Sequence, residues 1–151
     1  MTYGEQHPLG GQPLEMTIEV NGQSMFNSNE NGACDPESLN LLAFDKDSGR
    51  PYLILRTPGV QFDTQDPLNC GVTPQVINRI PNTNLVNSID NSSSRLKQYI
   101  DGMGNGDYVL MFSIGELTYG GWSDLNKAQF PRIGIDPNQL NDNTDGDFKE
   151  K

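Results

Sequence analysis

Histidine and cysteine are scarce, with one of the first and two of the second among 151 residues. The lone histidine, His7, stands in a lead rich in glycine and proline. Ser-His-Asp and Cys-His chemistry both need a positioned imidazole, so the chain is expected to be no enzyme of those kinds, and no cofactor or metal is expected. Long apolar runs are also missing. The longest, residues 108–114, is strand-sized, far below the roughly 18 residues of a membrane helix, so no insertion into a bilayer is expected. Positive charge is in deficit too. Ten basic against twenty acidic residues give a net charge of −10 without any Lys/Arg cluster. Nucleic acid and anionic membranes are therefore poor partners, since both are bound by releasing counterions to basic groups. The first fifteen residues lack the basic and apolar regions of a signal peptide, which leaves a cytosolic, a processed and an excised chain equally open.

What is present suits a single folded unit. Hydrophobic residues make up 34%, and a chain of this length buries about two thirds of the surface it exposes when unfolded. Cys34 and Cys70 lie in polar segments, GACDPES and DPLNCGVTP, unlike the apolar setting usual for buried free cysteine. A bridge would close a loop of about 37 residues and stabilise the fold by roughly 4 kcal/mol in the chain-entropy model. A disulfide points to an oxidising compartment outside the cytoplasm. Two unrelated free thiols are the competing reading. A zinc site needs more ligands than two isolated sulfurs offer.

Along the chain, residues 1–13 read as a lead or linker, 14–140 as one domain, and 141–151 as a polar tail. Residues 14–20 alternate strictly, which predicts a half-buried strand, and Asn21-Gly22 predicts a hairpin returning through Ser24, Met25 and Phe26. Residues 39–44 are almost wholly apolar and predict a strand covered on both faces. A turn at 45–49 leads to an expected antiparallel return over 51–55, then a long loop over 57–74. A short strand is expected over 75–80 and polar chain after it. Candidate caps at Asp90 to Ser94 precede Leu96, Tyr99, Ile100 and Met103, the spacing of a short amphipathic helix that Gly102 stops. Residues 107–114 predict a central core strand carrying that helix. Ser123 predicts a second helix limited by Pro131, and Asp136-Pro137 a further turn through Leu140.

Three stretches together resemble the interleukin-like EMT inducer (ILEI) family, or GG domain. They are residues 39–49 (LNLLAFDKDSG), residues 96–110 (LKQYIDGMGNGDYVL), and Trp122 onward to Ile133-Gly134-Ile135. The likeness covers roughly residues 38–140 and is greatest to the ILEI-like modules of large bacterial surface proteins, including gingipain-type peptidases tied to the type IX secretion system. The resemblance implies an α+β fold of two antiparallel β-sheets with two short helices packed against them. It also implies an extracytoplasmic, secreted or cell-surface location and no catalysis. The expected partners are other domains or subunits of a surface protein complex, with a glycan as the alternative ligand. Gly104 stands where the family often has proline. The family usually closes with an apolar strand that is not found after residue 140, so another segment is expected to pair with the sheet edge left open.

Four patterns invite a site. Tyr119-Gly120-Gly121-Trp122 would let an exposed indole stack on a sugar; the competing reading makes Trp122 a core residue at a helix start. Asp142 through Asp147 looks like half a calcium loop but lacks the closing glutamate, so a polar tail is expected instead. Asp45 and Asp47 are expected to be a solvated turn rather than an acid-base pair. Asn91-Ser92-Ser93 matches a glycosylation acceptor but also suits a helix cap, the expected role.

Overall fold

The computed structural model describes residues 17–27, 34, 37–72, 74–115 and 117–137. The expected lead, the start of the first strand at Leu14 to Met16, Leu140 and the polar tail lie outside the described residues. The fold is α+β, and the strand pairings are antiparallel throughout. The first hairpin joins β1 (Thr17–Val20) to β2 (Gln23–Asn27). Asn21 and Gly22 both take positive φ, 52° and 76°, the geometry a two-residue hairpin turn demands. The register shifts between Ile18 and Glu19, whose partners are Phe26 and Ser24, so the extra residue, Met25, bulges β2.

The main sheet contains β3 (Ser38–Phe44), β6 (Asn69–Cys70), β7 (Ile77–Pro81) and β8 (Tyr108–Ile114), in the order β6-β7-β3-β8. β3 is buried along nearly its whole length, as its almost wholly apolar sequence predicts, because both faces are covered. Leu39, Leu41 and Ala43 face the helices, with Ile80 beside them. On the opposite face Leu42, Cys70 and Ile77 pack under Met25 and Phe26 of the first hairpin. The sheet is thus the middle of three layers.

The helix side holds α1 (Asn82–Asn87), α2 (Arg95–Asp101) and α3 (Asp124–Lys127), with 3-10 turns at Tyr119–Gly121 and Phe130–Ile133. Ser94 and Ser123 cap α2 and α3 by accepting the amides of Lys97 and Asn126. Leu96, Tyr99 and Ile100 are the buried stripe of α2. Ile133 and Ile135 pack against the same core. Asn91, Ser92 and Ser93 form an exposed turn before the cap, held by the Asp90 carboxylate, which accepts the amides of Ser92 and Ser93.

Three expectations need correction. The return over 51–55 pairs with the β3 backbone at the Phe44–Pro51 bridge and by a bond from the Tyr52 amide to the Ala43 carbonyl, without forming a strand beside it. The chain then leaves the sheet as β4 (Ile54–Thr57) and turns through Pro58-Gly59 into β5 (Val60–Asp63), a hairpin inside the expected loop. Gly59 takes φ 85°, the third-position requirement of a Pro-Gly turn. Residues 82–87, expected to be irregular, form α1 without a side-chain cap, anchored by the buried Leu85. Finally, β8 is an edge of the main sheet among the described residues, with Tyr108 65% exposed and the rest half-buried. High hydrophobicity marks a strand that touches core on both faces, and an edge position satisfies that as well as a central one.

Candidate functional site

The two aromatic residues singled out from sequence do come together. The 3-10 turn at Tyr119–Gly121 delivers Trp122 into the core, where it is 2% exposed. Its ring stacks on Phe130 at 5.7 Å and 23°, and Tyr119 meets both rings edge-on at 5.3 and 5.7 Å. The indole Nε1 donates to Asn82 Oδ1 at 3.0 Å, which ties α1 to this cluster. A sugar needs an open ring face, and the face of Trp122 is taken by Phe130. Tyr119 is half-buried, and Lys127 Nζ lies 5.5 Å over its ring while donating to the Gly120 carbonyl. The arrangement locks α1, the turn and α3 together.

Cys34 and Cys70 form a disulfide with a Cα separation of 5.1 Å. Both sulfurs are buried, 5% and 4% exposed at residue level, in the apolar layer made by Met25, Phe26, Val76 and Ile77. Their polar sequence neighbours give no sign of that burial.

The acidic side chains work as ligands of their own backbone. Asp45 Oδ1 accepts the amides of Ser48 and Asp47, and the Ser48 hydroxyl above all, together with these amides, holds its carboxyl below the ordinary range. Asp47 pairs with Lys46 at 2.9 Å on the exposed turn. Asp107 accepts the amides of Gly104 and Lys46 and, at 2.9 Å, the hydroxyl of Tyr52. That bond raises the Tyr52 phenol to about 12, since ionising it would strip Asp107 of a donor and set two negative charges side by side. Burial opposes the ionised form of Asp101, but bonds from Lys97 and Arg132 outweigh it and leave the carboxyl lowered. Among the described residues no three His, Cys, Asp or Glu side chains gather where they could hold a metal ion. The half calcium loop lies outside the described residues.

Sequence reasoning missed two polar keystones. Arg95 opens an amphipathic helix and reads as surface, yet its side chain is only 16% exposed. It pairs with Asp66, donates Nε to Asn78 Oδ1, and lies 4.9 Å over the Phe62 ring, so one guanidinium joins α2, β7 and the second hairpin. Asn126 is fully buried; it donates to the Leu85 carbonyl and accepts from the Ser94 hydroxyl. The Ser-x-x-Asn spacing at the α3 cap was the only local hint. Among the described residues the surface also holds a pair of open grooves. One, about 490 Å³, is lined by Val20, Met25, Arg50, Pro51 and Leu53. The other, about 570 Å³, lies against the start of β8 and is lined by Met103, Tyr108, Val109, Arg132 and Ile133.

These features define a disulfide-bridged α+β domain whose polar side chains are largely committed to its own loops and caps. Comparison of the chain with models of known families, with curated proteins and with solved structures gives no match.

Proposed function

We propose that this chain is a non-catalytic structural and interaction module of a larger extracytoplasmic or cell-surface protein, of the ILEI or GG-domain kind and associated with type IX secretion. The observation that carries the reading is the buried Cys34–Cys70 bridge, which pins residues far apart in sequence to one face of the sheet and calls for an oxidising compartment. The α+β arrangement of antiparallel sheets and short helices is in keeping with the family likeness. A scaffold of this kind serves its parent by presenting a rigid surface to neighbouring domains or subunits.

Non-reducing mass mapping of the protein taken from its native source tests the reading. A linked Cys34–Cys70 peptide in material released from the cell surface supports it. Two alkylatable thiols on the folded protein overturn it. A glycan panel separates the lectin alternative: saturable binding lost in Tyr119→Ala, with an unchanged melting temperature, would replace the present reading.

A further inference from the structure

The main sheet has two unequal edges among the described residues. β6 is two residues long and offers a newcomer almost no ladder. β8 is seven residues long and contains no proline, no charge and no bulge, so it lacks the devices by which edge strands discourage further pairing. The direction of its backbone groups follows from β3. The Ala43 carbonyl accepts from the Tyr52 amide and the Ala43 amide donates to the Tyr99 hydroxyl, so both point away from β8. Orientation alternates along an antiparallel ladder. Leu42 and Phe44 therefore bond to their partners Leu110 and Tyr108. The N–H and C=O groups of Val109, Met111 and Ser113 are left pointing outward.

We propose that this edge pairs with the same edge of a second copy, β8 antiparallel to β8, about a two-fold axis at Met111. The register is self-consistent. The outward groups of Val109 meet those of the partner's Ser113, and Met111 meets the partner's Met111, so all seven residues overlap in phase. An axis perpendicular to the sheet continues each face of one copy into the same face of the other. Half-buried Val109 and Met111 gain cover on the helix side, as do Leu110, Phe112 and Ile114 on the other. At about 3.4 Å per residue the edge is roughly 24 Å long. With side chains on both faces, two such edges bury on the order of 1,000 Å², the lower bound of a specific interface. The dimer is accordingly weak and reversible. β8 carries no charge in a chain of net charge −10, so this edge adds no repulsion of its own where two copies approach, while the rest of the two acidic chains repel. Salt screens that repulsion and tightens the dimer, whereas a basic partner strand would be released by salt. The inference goes beyond the extracytoplasmic reading and stands without it.

Sedimentation of the full chain at about 50 and 500 mM NaCl, with amide exchange on dilute and concentrated samples, tests it. The expected result is a monomer–dimer equilibrium reaching twice the 16.7 kDa of one chain, with association about threefold or more stronger at high salt. Amides of Val109, Met111 and Ser113 should slow about tenfold on concentration, while Leu110 and Phe112 stay protected throughout. Ser113→Pro removes an outward N–H and no bond to β3, and should leave a folded monomer. A chain monomeric at every concentration overturns the proposal, as does association weakened by salt or untouched by a folded Ser113→Pro. Dimers whose Val109 and Met111 amides exchange freely overturn it too. Protection of those amides in the dilute monomer would mean that the chain covers its own edge, and also overturns it. The exchange comparison needs no variant, so it decides the matter if Ser113→Pro fails to fold.

Discussion

At the scale of single residues, the side chains that matter most are polar groups whose partners lie far away in sequence. Asp66 is 8% exposed, and its charge is balanced by Arg95. Arg95→Ala strands that carboxylate and removes the cation over Phe62. The expected loss is about 3 kcal/mol, the usual cost of breaking a buried pair, or roughly 6–12 °C in melting temperature for a chain of this size. Thermal melts of Arg95→Ala and of Arg95→Ala/Asp66→Asn check this, the double variant recovering part of the loss. Trp122→Phe keeps most of the aromatic packing but leaves Asn82 Oδ1 without its indole donor, for an expected loss of about 1–3 kcal/mol in urea titrations. Tyr52 gives a pH signature. Its folded value, raised to about 12, lies above the ordinary value of about 10. The stability it contributes is therefore whole below the ordinary value and disappears as pH rises through the folded one. Denaturant titrations between those limits should show a decline that is shallower in Tyr52→Phe.

Among elements, local signals sufficed wherever one short segment carried its own geometry. Asn21-Gly22 specifies the first hairpin, Ser94 and Ser123 cap their helices, and the almost wholly apolar run of β3 announces a strand with both faces covered. The second hairpin was equally legible in Thr57-Pro58-Gly59-Val60, but the alternation on either side of that turn is short and interrupted by charge. α1 had no comparable signal. Apart from Leu85 its residues, NTNLVN, are poor helix formers, and the helix is held by Leu85 in the core and by bonds from Trp122 and Asn126. The placing of β8 has a consequence for its mutants. Leu42 is fully buried on β3, and Leu42→Ala should cost about 3–5 kcal/mol. Its cross-strand partner Leu110 is half-buried on the edge, so Leu110→Ala should cost only about 1–2 kcal/mol by its smaller buried area. Paired denaturant melts of the two variants measure the difference directly.

For the molecule as a whole, the three layers are fastened in different ways. Helices and sheet share an apolar core threaded by buried polar bonds, whereas the first hairpin rests on the sheet side through a smaller apolar cluster, which contains the disulfide, and a bond from the Val72 amide to the Met25 carbonyl. Cys34→Ser/Cys70→Ser should therefore lower stability by about 2–4 kcal/mol. Exchange should rise first in β1 and β2 while β3 and β7 stay protected, which hydrogen exchange resolved by segment can show.

Composition, charge and short-range patterning were enough to establish an acidic chain without a long apolar run, to favour a Cys34–Cys70 bridge over two free thiols, and to outline many of the strands and caps, while the α+β class was what the family resemblance implied. Those properties depend on neighbours within a few residues, or on having only two cysteines to join. Which strand became the edge, whether Trp122 faced solvent or Phe130, and that Arg95 would be buried were decided by tertiary structure alone. Hydrophobicity reports how much surface a residue prefers to hide, but not which distant segment hides it. In this fold the covering segments, Phe130 for Trp122, Asp66 for Arg95 and β3 for one side of β8, arrive from 8, 29 and roughly 70 residues away.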